Sequence, residues 1–72
     1  MEAPKALRQQ IRFYEGFGFH VVEAKPRAGS HWRVRFAEFD EPQFLTVNAN
    51  DPRALKNNVA RFKRLAAQAA TA

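Results

Sequence analysis

The clearest periodicity in the chain runs from His31 to Phe36, where apolar Trp32, Val34 and Phe36 alternate with polar His31, Arg33 and Arg35. Successive side chains of a strand point to opposite faces. The run therefore predicts a half-buried antiparallel strand over 31–39, apolar on one face and cationic on the other. Two weaker strand signals flank it. Residues 19–25 (FHVVEAK) carry Phe and Val-Val after a glycine, and residues 43–48 (QFLTVN) follow the acidic turn Asp40-Glu41-Pro42. Pro26-Arg27-Ala28-Gly29-Ser30 reads as a five-residue hairpin loop, with Gly29 available for a positive φ. Val21-Val22 and Phe44-Leu45 each offer two phases, so the sequence leaves the register of the first and third strands open.

Helical spacing brackets these strands. Leu7, Ile11 and Tyr14 stand at i, i+4 and i+7, which predicts a helix over 5–16 with Pro4 in its first turn and Gly16 or Gly18 at its end. Lys5, Arg8, Gln9 and Arg12 fall on its polar side. Asp51-Pro52 is a second helix start, an N-cap followed by proline at the first helical position. Leu55, Val59, Phe62 and Ala66 then form an apolar stripe, and Arg53, Lys56, Arg61, Lys63 and Arg64 fall away from it. This helix is expected to fade near residue 69. The predicted order is α-β-β-β-α, an α+β two-layer sandwich with a three-stranded antiparallel sheet and both helices on one face. The expected core is Leu7, Ile11, Tyr14, Phe17, Phe19, Val21, Trp32, Val34, Phe36, Leu45, Val47, Leu55, Val59 and Phe62. One domain is expected over 1–72, ordered from about 5 to 67, with the first four residues and the tail 68–72 frayed.

Composition narrows the chemistry. A chain of 72 residues makes one small domain with a thin core and no cleft between domains. The absence of cysteine removes a disulfide framework, a cysteine-ligated zinc site and a thiol nucleophile together. Hydrophobic residues at 46%, with seven Phe, describe a globular chain. No stretch reaches membrane-spanning length and the start does not resemble a signal peptide, so a cytoplasmic protein is expected. Twelve Lys and Arg against seven Asp and Glu leave a net charge of +5, which favours a polyanionic partner. Nucleic acid ranks first; a membrane surface ranks last, because the core needs the apolar stripe of the second helix.

The cationic face of the middle strand is the leading candidate site. His31, Arg33 and Arg35 form a column there, Lys25 and Arg27 lie at one end of it, and Arg53 and Lys56 add a basic face on the second helix. Guanidinium groups bind phosphate oxygens bidentately, as recognition of an RNA or DNA backbone requires. A neutral imidazole at His31 can accept the proton of a ribose 2′-hydroxyl, the first step of metal-free RNA cleavage. Neighbouring arginines would stabilise the phosphate charge that develops. The plainer alternative pairs an exposed His31 with Glu23 or Glu38 across the sheet. His20 reads as a surface residue. Asp40 and Glu41 point apart, Gly16-Phe17-Gly18 is too short to cradle phosphate, and nothing calls for a metal or cofactor. Phe39 and Phe44 are the candidates for exposed base stacking, with hairpin packing the favoured reading of both.

An opening helix ending in Gly16-Phe17-Gly18-Phe19, a strand, Gly29-Ser30-His31 at the head of the next strand, a third strand ending in Thr46-Val47 and a closing helix together form a pattern. It resembles the HicA-type mRNA interferase toxins, small basic proteins with a fold similar to a double-stranded-RNA-binding domain. The resemblance covers about residues 5–66. It implies that His31 is the catalytic histidine of an endoribonuclease, with Ser30 beside it in the site and an antitoxin as partner. The chain departs from the family after its third strand, where Asn48-Ala49-Asn50 stands in place of Pro and often His. It departs again at the second helix, which Asp51-Pro52-Arg53-Ala54-Leu55 introduces instead of a Gly-Thr-Leu type turn. Two other readings accompany it: a non-catalytic nucleic-acid-binding module of the same fold, and a protein-interaction module, as on a phage or other mobile element, that meets an acidic protein. A monomer or weak homodimer is expected in each case.

Overall fold

The computed structural model describes residues 3–47 and 51–71. The order is α1 (Lys5–Glu15), β1 (Val21–Pro26), β2 (His31–Phe36), β3 (Gln43–Thr46) and α2 (Pro52–Thr71). The strands form one antiparallel sheet in the order β1-β2-β3. This is the α+β arrangement the periodicities predict.

Local chemistry sets the element ends. Pro4 stands one position before the helix, as the N-cap residue of α1, where its fixed φ of −58° leads into the first turn. At the other end Gly18 takes a φ of +94°. Gly18 N–H donates to Glu15 O at 3.0 Å and Phe19 N–H to Tyr14 O at 3.3 Å. These are the two bonds of a Schellman stop, with Gly18 in the position that needs a positive φ. Phe19 thus belongs to the helix stop, and β1 begins at Val21 rather than at 19. Val22 is an extra residue in β1: the register shifts between Val21 and Glu23, which oppose Phe36 and Arg35 respectively. β2 ends at Phe36, three residues short of the expected end, and Phe39 turns back into the core. β3 ends at Thr46; residue 48, its expected end, lies outside the described residues. Asp51 caps α2 as predicted, its Oδ1 accepting from Arg53 N–H at 3.1 Å. The Ala-rich end carries α2 on to Thr71 in place of a fray from 68, in keeping with the high helix propensity of alanine.

The core is an aromatic cluster between sheet and helices. Phe62 is fully buried, with the rings of Tyr14, Phe19, Phe36 and Phe39 at centroid distances of 5.0, 5.7, 4.9 and 5.6 Å. Most pairs are edge-on or tilted, as the ring quadrupole favours. Leu7, Ile11, Val34, Leu45, Leu55 and Val59 complete it, with Ala3, outside the expected core, also buried. Trp32, Val21 and Val47 pack at its margin, half-buried. Phe17 departs from expectation: it lies beyond the helix, 48% exposed, against Phe13 and under Lys63. Buried Gln10 ties α1 to the sheet, its Nε2 donating to Thr46 O at 2.7 Å, and half-buried Asn58 ties α2 to α1, its Nδ2 donating to the Tyr14 hydroxyl at 2.8 Å. Burial of Tyr14 pushes its hydroxyl pKa up, partly offset by the Asn58 hydrogen bond and the charge of Arg61.

Candidate functional site

Both helices bury their apolar stripes against one face of the sheet, so the other face is open. Its composition follows from register. Val34, Phe36 and Leu45 face the helices, and the alternate positions face out. Arg33 is the cross-strand partner of both Lys25 and Phe44, Arg35 of Glu23, and His31 of Thr46. The predicted column of His31, Arg33 and Arg35 is therefore present, and Lys25 joins it from β1. Arg27 reaches the same face from the turn, its guanidinium carbon 5.5 Å from the centroid of the Phe44 ring. Four cations gather there against one carboxylate, Glu23.

Glu23 is already committed. Its carboxylate accepts from Arg33 Nη1 at 3.1 Å and stands 3.7 Å from Lys25 Nζ. This contact holds the Arg33 side chain, which is 33% exposed, against Glu23. Among the described residues no carboxylate lies within ion-pair distance of Arg27 or Arg35, leaving both guanidinium groups available to an anion.

His31 heads β2, exposed, immediately after the Arg27–Ser30 turn. Gly29 takes a φ of 68° there, and the turn closes through Arg27 N–H donating to His31 O at 2.8 Å. Ser30 O accepts from Val47 N–H at 2.9 Å, which ties the turn to the end of β3. The His31 ring meets Thr46, with Nδ1 and Oγ1 3.3 Å apart. When Nδ1–H donates to Thr46, Nε2 presents its lone pair to solvent. The expected pairing of His31 with Glu23 or Glu38 does not occur. Glu23 holds the β1–β2 cations, and Glu38 binds His20 instead.

That second histidine is more engaged than a plain surface residue. Glu38 accepts from His20 N–H through Oε1 and meets Nδ1 through Oε2, each at 2.8 Å. The hydrogen bond to Glu38, reinforced by its charge, raises the His20 pKa above 6.5. For Glu38, burial would push the carboxyl pKa up, but the bonds from His20 outweigh it and the value is lowered. The pair lies by the β1 bulge, where His20 O also accepts from Ala37 N–H at 2.7 Å. It fastens the start of β1 to the end of β2, away from His31.

Arg53 and Lys56 are exposed on the first turns of α2, in the helical layer, and are not brought onto the open face. A further group of cations lines a shallow depression of about 210 Å³ on the outer surface of α1, formed by Lys5, Arg8, Gln9 and Arg12. It belongs to a single exposed helix face and lies apart from the histidines. Phe39, one of the two stacking candidates, is buried at 4% exposure. Phe44, the other, is 56% exposed on the open face. Hairpin packing thus holds for Phe39 and fails for Phe44. Sequence reasoning missed Thr46 as the partner of His31 and Phe44 as the neighbour of Arg27 and Arg33. The expected core position of Leu45 turns both outward, but only the β2–β3 register sets Thr46 opposite His31 and Phe44 opposite Arg33.

No protein-family model, curated protein or solved structure matches this chain. No helix among the described residues is long and apolar enough to cross a membrane.

Proposed function

We propose that this chain binds RNA through the open face of its sheet, with Arg27, Arg33, Arg35 and Lys25 on the phosphates and His31 at the edge of the contact. One observation carries the reading: the face not covered by helices gathers four cations around one carboxylate, and that carboxylate is occupied in holding Arg33 in place. Arginines held on strands offer fixed donors, which reduces the entropy lost when a phosphate binds. Contact with about four phosphates of a single strand predicts a log–log salt dependence with a slope near −3. Fluorescence anisotropy of labelled RNA across a salt series measures it. A slope near zero would remove the reading in favour of a protein partner, such as an acidic antitoxin.

A second reading adds cleavage. It is favoured by the contact between His31 Nδ1 and Thr46, which can leave Nε2 aimed at solvent beside the arginines. Nε2 would take the 2′-hydroxyl proton as that oxygen attacks the adjacent phosphorus. The 5′-oxygen would leave with a proton from solvent, and Arg27, which lies across from His31 with its backbone N–H on His31 O, would stabilise the charge on the phosphate. This is the chemistry that the HicA resemblance implies. RNA incubated without metal and run on a denaturing gel should be cut by the wild type and left intact by His31→Ala. Equal cutting by both proteins would remove His31 from the mechanism.

A further inference from the structure

We infer that the open sheet face takes unpaired nucleotides, with one nucleobase of a single-stranded RNA stacked on the ring of Phe44. This deepens the RNA-binding reading and rests on it. The observation is an inversion in β3. Gln43 is buried at 5% exposure while its neighbour Phe44 is 56% exposed, the reverse of the polar-out pattern of the sheet. The inversion has a local cause. Leu45 fills the core beneath β2, and a shift of one residue to bury Phe44 would expose Leu45. Gln43 tolerates burial because its Nε2 donates to Glu41 O at 3.2 Å. An aromatic ring is thereby left on the surface that carries the arginines.

The surroundings of the ring match a nucleotide. Arg33 is its cross-strand partner, and Arg27 lies over its face, 5.5 Å from the centroid. His31 and Thr46 form the next cross-strand pair on the same face. A nucleotide joins a flat π surface to an anionic phosphate, and this patch offers a flat π surface beside guanidinium groups. An acidic protein would use the cations and leave the ring idle. Arg27 rises from an exposed turn and can leave the ring for a phosphate when a base arrives. The other exposed large apolar side chains do not compete. Val22 sits on the β1 bulge, and Phe17 lies beyond the end of α1 against Phe13 and Lys63.

A duplex cannot use Phe44. Its bases are paired and stacked, and the deep, narrow major groove of A-form RNA shuts out side chains. A ring held on a short strand could reach a base only after that base had been flipped out. Single strands, loops and bulges present bases already free.

The test compares a fluorescein-labelled oligouridine with a blunt RNA duplex of the same length, using the full chain, Phe44→Ala and Phe44→Trp. Base–aromatic stacking lost to alanine corresponds to a roughly 5- to 150-fold loss of affinity. Phe44→Ala should lose that much for the single strand, keep the salt slope and leave duplex binding unchanged. Phe44→Trp should restore binding. Single-strand affinity of Phe44→Ala within about twofold of wild type would overturn the stacking assignment, and a steep salt slope in the same data would leave the RNA-binding reading standing. An equal loss for duplex and single strand would also overturn it, by showing a structural role for the ring. Absence of binding by the wild type to either RNA at low salt would overturn both.

Discussion

Replacing Phe62 by alanine separates the aromatic core from the open face. Phe62 is fully buried and meets the rings of four other aromatic residues, at 4.9 Å from Phe36 and 5.0 Å from Tyr14. Truncating a phenylalanine at such a site costs about 3–5 kcal/mol, because the lost transfer energy is joined by the cavity left behind. A domain of 72 residues is stable by about 4–11 kcal/mol in all. Phe62→Ala should therefore remove about a quarter or more of the total, and its melting temperature should fall by at least ~12 °C. Phe44→Ala removes the same atoms from a ring that is 56% exposed, and should cost about 1 kcal/mol or less. Thermal melts followed by far-UV circular dichroism compare the two directly. A Phe62→Ala melt within a few degrees of wild type would refute the packing argument. A Phe44→Ala melt as low as that of Phe62→Ala would refute the assignment of Phe44 to the surface.

The remaining expectations are local. NMR titration should place the His20 pKa above 6.5, and Glu38→Gln should bring it back down. Because the folded pKa of His20 is raised, its contribution to stability is complete below about pH 6.5 and is lost as pH rises through the raised value. The folded pKa of Glu38 is lowered, so its contribution is present above about pH 4.5 and is lost as pH falls through the lowered value. Stability from this pair is thus greatest in the mildly acidic range, and a titration of Glu38→Gln that matched wild type would contradict the contact. Gly18→Ala should destabilise by about 1 kcal/mol or more, since alanine resists a φ of +94°, and an unchanged melt would contradict the helix stop.

Element types were legible because the periods are strong: the strict alternation through β2 and the stripes of α1 and α2 each bury one face. Boundaries were less so. The Gly16-Phe17-Gly18-Phe19 segment holds two glycines either of which can stop a helix, and only hydrogen bonding shows that Gly18 does it and that Phe17 is left outside. The bulge at Val22 follows from pairing between β1 and β2, which no local pattern encodes. The column of His31, Arg33 and Arg35 was readable from alternation alone. Phe44 is a stacking candidate in the sequence, but hairpin packing is the favoured reading there because Phe-Leu fits either phase and a buried glutamine disguises the choice, and the pairing of Thr46 with His31 needs the β2–β3 register. The partners of the acidic residues lay furthest from reach. Glu23 and Glu38 could each have met His31, and strand register gives the first to Arg33 and Lys25 and the second to His20.

The most direct test of the account sets the two cationic surfaces against each other. RNA binding would be measured across a salt series for Arg33→Gln/Arg35→Gln on the open sheet face and Arg53→Gln/Lys56→Gln on α2. The sheet variant should lose about tenfold or more in affinity and flatten the salt slope by about 1.4, while the helix variant stays near wild type. Loss confined to the helix variant, with the sheet variant binding as wild type, would contradict that expectation.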